Sequence, residues 1–212
     1  MLVAPIDDSS LSLEDVRLGA GEAFALGEAK RDSLVFVYAG GALLNLAQDS
    51  HRLEPRTAAL VLADEDATIT ADDAGLSFVC GRVRTAADRH APLGPREVVT
   101  RLDGAGSDLA TGARSFEVLF GPHNGSAHAT LFMGFVPPGK APWHFHLYDE
   151  IVWIPQGPGR LHLEEGVDEL EGGSAFRLRP RQVHIVENTG SSTLEVLGLF
   201  SPAGSPSAAY LP

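Results

Sequence analysis

In the run Gly139-Lys140-Ala141-Pro142-Trp143-His144-Phe145-His146-Leu147-Tyr148-Asp149-Glu150, two imidazoles and a carboxylate stand close together. Successive residues of an extended chain alternate between faces, so His144 and His146 share one face while Trp143, Phe145 and Leu147 pack on the other. Glu150 returns to the histidine face if the chain stays extended, or after a tight turn through Tyr148 and Asp149. Neutral imidazole with carboxylate is a borderline-to-hard donor set. It suits one divalent transition metal: Fe, Mn, Ni, Cu, Co or Zn. A second stretch, Gly173 to Asn188, carries His184 among Val183, Ile185 and Val186. A histidine buried there needs a partner to offset its desolvation.

The elements that must position these groups read as short strands. Leu34 to Tyr38, Ala58 to Leu62, Leu131 to Val136 and Ile151 to Ile154 are apolar, β-rich runs bounded by Gly, Pro, Asp or Ser. Such runs at close intervals, with Gly (23) and Pro (14) enough for many turns, predict an all-β barrel or sandwich. Leu11 to Leu18 and Asp108 to Ala113 are expected to form short helical turns. An internal repeat bears on the domain question. Asp32 to Gly40 lies under Asp149 to Gly157 at an offset of 117 residues, and without a gap Leu53-Glu54 falls under Leu170-Glu171 and Thr57-Ala58 under Ser174-Ala175. Two similar units in tandem are expected, 1–84 and 114–212, joined by the Gly, Pro, Asp and Arg-rich segment 85–113.

The two histidine stretches resemble the paired motifs of the cupin superfamily, G-x5-HxH-x3/4-E-x6-G and G-x5-PxG-x2-H-x3-N. His144, His146, Glu150 and Gly157 fall at the first spacing, and Pro180, His184 and Asn188 at the second. The departures touch turns: Gly139 is one residue too close to His144, Gln182 replaces a glycine, and Gly173 is one residue too far from Pro180. The resemblance implies two cupin-type (double-stranded β-helix or jelly-roll) barrels and a metal held by His144, His146, Glu150 and His184. At the same offset the first unit offers Gly27, Ala29, Ser33 and Ala67, which form no ligand set. It is expected to be metal-free, as a structural partner or a dimerisation surface.

Composition narrows the rest. Hydrophobic residues make up 44% and charged residues 21%, enough apolar material for a packed core. A net charge of −12 argues against nucleic acid and anionic membranes as partners. No apolar run approaches the roughly 20 residues of a membrane span. A single cysteine, Cys80, and no secretory pattern at the N-terminus fit a cytoplasmic protein. His51, His90, His123 and His128 read as solvated or turn histidines, and Asn188 as a residue that orients a ligand. Tyr148, close to the ligands in sequence as Arg179 is, and His162, in an expected strand that could line the pocket, join Glu150 as candidate catalytic groups. Trp143, Phe145, Trp153, Met133 and Phe176 are core residues of which one or two could wall a substrate cavity. Arg177, Arg179 and Arg181 would share one face of a strand.

Three functions fit a small-molecule substrate. The aromatic neighbourhood of the ligands favours an oxygenase of an enol- or catechol-like compound. A non-redox isomerase, decarboxylase or lyase of a sugar or organic acid is the alternative. The third is a binding or sensing module without turnover.

Overall fold

The computed structural model describes residues 6–7, 10–104, 108–109, 113–207 and 209–211. In chain order the strands are β1 (Ile6–Asp7), β2 (Leu11–Leu18), β3 (Ala23–Ala25), β4 (Arg31–Leu46), β5 (Asp49–Leu53), β6 (Thr57–Val61), β7 (Ala67–Arg84), β8 (Val99–Arg101) and β9 (Asp108–Leu109). There follow β10 (Ser115–Phe120), β11 (Thr130–Val136), β12 (Gly139–Lys140), β13 (Asp149–Trp153), β14 (Gly159–Leu163), β15 (Gly166–Leu170), β16 (Ala175–Leu178), β17 (His184–Asn188) and β18 (Leu194–Ser201). Among the described residues the helical content is one 3-10 turn, Pro122–Asn124, and no helix is long and apolar enough to cross a membrane.

The first half forms one sheet, ordered β1-β2-β7-β4-β6-β8, with β3 on β7 and β5 on β4. The second half forms two, β16-β13-β18-β11-β10-β9 and β12-β17-β14-β15. Val152, Leu178 and Val196 of the larger sheet meet Leu161, Leu170 and Val186 of the smaller, so the two enclose an apolar interior between them.

The offset of 117 seen in the sequence holds in the hydrogen-bonded ladders. Ala42↔Leu53 repeats as Gly159↔Leu170, Ser33↔Val61 as Glu150↔Leu178, and Leu46↔Ala67 as Leu163↔His184. Strand β4 spans the positions of β13 and β14 together, and β7 those of β17 and β18. The first half keeps these long strands continuous round the corner by register shifts between Val37 and Ala42. Gly40 sits there at φ +77°, and a Cβ on it would lie 2.1 Å from the Gly75 carbonyl oxygen, so the corner requires glycine.

Alternation along β13 and β18 divides their side chains between two cores. Glu150 and Val152 with Val196, Gly198 and Phe200 face the interior of the second half. Ile151, Trp153, Leu197 and Leu199 point the other way and pack on Leu34, Phe36, Leu60, Val79 and Val83 of the first half. Gly81 leaves the notch that Leu199 fills, since a Cβ there would be 2.3 Å from Leu199 Cδ2. The two halves thus share a continuous apolar core. The repeated aspartates both serve polar contacts: Asp32 Oδ2 meets His128 Nδ1 of the other half at 2.8 Å, and Asp149 grips Arg177, whose Nη1 also donates to the Leu11 carbonyl at 3.3 Å.

Several expectations need correction. Leu11–Leu18 is strand β2, not a helical turn: Leu11 and Leu13 alternate into the shared core, and eight residues pair with β7. Asp108–Leu109 is a strand paired with β10, and 110–112 lie outside the described residues. The segment 85–113 carries a strand and several bonds of its own. Val99–Arg101 joins β6, and backbone bonds from His90, Leu93 and Glu97 reach Ala127, Pro122 and Asn124. His128 is half-buried instead of solvated, its Nδ1 paired with Asp32 between the halves.

Candidate metal centre

His144, His146 and His184 bring one ring nitrogen each to within 4.8 Å of one another, all three side chains buried. Backbone hydrogen bonds between His144 and His184, 3.2 and 2.9 Å, tie the two histidine stretches together. His144 donates Nδ1–H to the Pro142 carbonyl (3.0 Å) and His184 donates Nδ1–H to the Gln182 carbonyl (2.9 Å). A carbonyl can only accept, so these bonds set the tautomer and leave Nε2 of each ring as the donor atom for a metal. Burial, and for His144 also the neighbouring His184 and Arg114, pushes the ring pKa down to about 3 for His144 and to about 4 for His184. Both are neutral at physiological pH, the form that ligates.

Glu150 stands beside them, Oε2 3.8 Å from His146 Nε2, and burial raises its carboxyl to about 8 against the lowering pull of Arg114. Gly198 makes room for it: a Cβ there would meet Phe132 ring atoms at 2.2 and 2.4 Å and Glu150 Oε1 at 2.9 Å. Tyr148 stacks between His146 (4.6 Å) and Phe200 (3.9 Å), and burial pushes its phenol upward, so it stays protonated. Three clustered imidazoles, with the Glu150 carboxyl group beside one of them, are a donor set that fits a divalent transition ion.

These residues line a cavity of about 70 Å³. Its walls are Phe116, Phe132, Phe135, Val136, Val152 and Val186, with Arg114 as the cationic member, and Pro206 and Ala209 of the C-terminal tail also line it. The tail is fastened by paired backbone bonds between Phe145 and Tyr210 (2.9 Å each), by stacking of their rings, and by Thr130 bonding Gly204. It therefore covers the half of the chain it belongs to.

The aromatic neighbours inferred from the sequence are elsewhere. Trp143 and Leu147 do face away from His144 and His146, but they are 39% and 50% exposed instead of packed. Phe145 lies under Tyr210, while Trp153 and Met133 belong to the shared core. Phe176 packs on the interior cluster without lining the cavity. His162 is also off the cavity: it pairs opposite Ile185, and its Nε2 binds Glu187 at 2.6 Å. Asn188 ties backbone, donating to Val136 and Ser192 carbonyls at 2.8 and 2.7 Å. Arg177 and Arg179 turn to Asp149. Sequence reasoning missed Arg114 and the three phenylalanines, which carry no motif and arrive through β10 and β11.

The equivalent place in the first half is filled. Gly27 repeats the bond of His144, its N donating to the Ala67 oxygen at 3.3 Å, but a Cβ on Gly27 would lie 2.1 Å from the Glu65 oxygen. Ser33 at the Glu150 position is buried and bonds the Leu26 carbonyl.

Residues 131–200 match the family described as Cupin domain. No curated protein matches the chain significantly. Among solved structures, oxalate decarboxylase of Bacillus subtilis, studied for its Mn(II) centres, aligns at TM-score 0.73 and 13% identity, over 95% of this chain and 71% of that one. A Pseudomonas aeruginosa protein assigned provisionally as glyoxylate-induced aligns at 0.77 and 17%, over 92% and 75%. A cupin 2 conserved barrel domain protein of Leptotrichia buccalis aligns at 0.66 and 11%, over 94% and 88%. The chain has an all-β, cupin-like fold.

Proposed function

We propose that this chain is a bicupin metalloenzyme acting on a small organic acid by non-redox chemistry, decarboxylation or a related lyase or isomerase step. In this reading 1–84 and 114–212 are the two barrels. One divalent transition metal is held in the second alone, by His144, His146, His184 and Glu150. The observation that carries the choice of substrate is the size of the cavity at the cluster, about 70 Å³. Pockets for drug-sized ligands run to roughly 300–1,000 Å³. A catechol or flavonol beside O2 is too large unless Pro206 and Ala209 move. The likeness to oxalate decarboxylase supports an acid only by analogy of fold.

A bound divalent cation supplies Lewis-acid polarisation of a carboxylate or carbonyl oxygen. The chain supplies the remainder. The phenylalanine wall and the tail line the cavity with apolar surface, which strengthens charge interactions beside it. Decarboxylation breaks the C–C bond to a carboxylate and leaves an electron pair that a proton must quench. Tyr148 lines the cavity and keeps its proton, which makes it the proton donor of this reading. His162, tied to Glu187 outside the cavity, takes no part.

The test is elemental analysis of protein purified without added metal, beside His144→Ala, followed by assays of two- to four-carbon acids with and without O2. One transition metal per chain, lost in the variant, with CO2 or product formed regardless of O2, supports the proposal. The phenylalanine wall favours a second reading, the oxygenase, and turnover that needs O2 would put it first. Absence of metal after reconstitution would leave the binding-module reading.

A further inference from the structure

His144 and His146 lie between β12 and β13, outside both strands, in a stretch held from two sides. On one edge His144 exchanges backbone bonds with His184, and the His146 carbonyl accepts from Arg181 N–H at 2.6 Å. On the other edge the residue between the histidines, Phe145, gives its N–H to the Tyr210 carbonyl and takes the Tyr210 N–H on its own carbonyl, 2.9 Å each. An extended chain presents successive backbone groups to opposite edges, so the pairing of 144 with 184 and of 145 with 210 makes a three-chain antiparallel ribbon. The histidine pair is its middle chain.

Tyr210 contributes a side chain as well. Its ring stacks on Phe145 with centres 5.6 Å apart and planes 20° from parallel. Alternation puts this contact on the face opposite the imidazoles. Tyr210 is 46% exposed and joins none of the apolar cores among the described residues, so its contacts act on Phe145. The centres of the His144 and His146 rings stand 5.1 Å apart, a separation that the extended backbone at Phe145 sets. A ligand constellation works within about 0.5 Å and 10–20° of its productive geometry. A stretch free to twist at 145 would therefore lose its hold on an ion before the chain lost its fold.

We infer that Tyr210 is a positioning residue of the metal centre: its pairing with Phe145 holds His144 and His146 in the geometry an ion requires, which makes the C-terminal tail a working part of the site. The inference rests on the metal reading above, since the two histidines share this task only if they ligate.

The experiment uses the full chain as wild type, Tyr210→Phe, Tyr210→Ala and Tyr210→Pro. Phenylalanine keeps both the pairing and the stack, alanine keeps the pairing alone, and proline removes the N–H that the Phe145 carbonyl accepts. Mn(II) affinity is measured by competition with a chelator, the Mn(II) resonance is recorded at saturation, and the melting temperature of the metal-free proteins reports folding. Tyr210→Phe is expected to match wild type. Tyr210→Pro is expected to bind Mn(II) about tenfold to a hundredfold more weakly with an altered resonance, as losing a contact that orients a ligand does. Tyr210→Ala is expected to lose about threefold, as an aromatic pair is worth. A lowered melting temperature with affinity and resonance unchanged in folded Tyr210→Pro would mean that Tyr210 only packs, and would overturn the inference. If Tyr210→Pro does not fold, wild-type affinity and resonance in Tyr210→Ala overturn it instead. Failure of wild type to take up any divalent ion overturns the metal reading itself, and that measurement tells the two failures apart.

Discussion

Metal uptake should expel a proton from Glu150. Burial raises this carboxyl to about 8, so the metal-free protein carries it protonated at neutral pH. At pH 7 a group of that pKa is about nine-tenths protonated, and at pH 9 about one-tenth. A coordinated carboxylate has to be ionised, so the proton must leave as the ion binds. His144 and His184, at about 3 and about 4, are already neutral and contribute none above pH 6. Calorimetric titration with Mn(II) in buffers of different ionisation enthalpy counts released protons. The difference between wild type and Glu150→Gln is expected to be about 0.9 at pH 7 and about 0.1 at pH 9. Apparent affinity of wild type should rise about tenfold over the same two units, since one pKa unit is about 1.4 kcal/mol and Glu150 is fully ionised only above 8. A count equal in wild type and variant at pH 7, or a difference that persists at pH 9, would refute the assignment of that proton to Glu150.

Other tests follow from the packing and the titrating groups. Gly81→Ala drives a Cβ to 2.3 Å from Leu199 Cδ2 in the core between the halves. The overpacking should cost about 1–3 kcal/mol, read as a melting temperature lower by roughly 2–10 °C. Gly198→Ala collides with Phe132 and approaches Glu150, and should lower both the melting temperature and the metal content, the second of which Gly81→Ala leaves alone. Removing residues 1–84 uncovers Leu131, Met133, Ile151, Trp153, Leu197 and Leu199, side chains worth ~1.5–3 kcal/mol each when buried. The truncated chain should aggregate, and a soluble, folded, metal-binding product would contradict the shared core. His144 and His184 have lowered pKa values, so the unfolded chain gains their protons first as pH falls. Metal-free protein should lose stability from pH 6.5 down to about 4, by about 1.4 kcal/mol per pH unit for each, in denaturant titrations.

Part of this molecule could be read from its sequence because the relevant geometry is local. His144 and His146 share a face through the two-residue period of an extended chain, and Glu150 follows within reach, so spacing alone predicts their meeting. His184 comes from a distant strand, and only the resemblance to a known motif tied it to them. The offset of 117 was legible because both halves carry the same alternation and turn residues in an ungapped register. Arg114 and the phenylalanine wall were not, because residues 30 or so apart meet only through the sheet order. Leu11–Leu18 differs because Leu11 and Leu18 satisfy a helical spacing, but Leu11 and Leu13 also satisfy a strand, and pairing of all eight residues with β7 decides between them. Trp143 and Leu147 alternate as expected, yet both stay exposed, with an edge-on His162 ring the one aromatic contact of Trp143 among the described residues, so an apolar side chain there does not imply a packed one.

The filled position at Gly27 bears on the engineering of the fold. Placing histidines at 27 and 29, glutamate at 33 and histidine at 67 would copy the ligand list but not the space for it. The Glu65 carbonyl oxygen lies in the volume that a side chain at 27 needs, and Ser33 is already committed to Leu26. A side chain at 27 meets backbone before it meets a metal, whatever stands at the other three positions. A designer seeking a second centre in this chain would have to lengthen or re-route the turn around Glu65 first, and choose ligands afterwards.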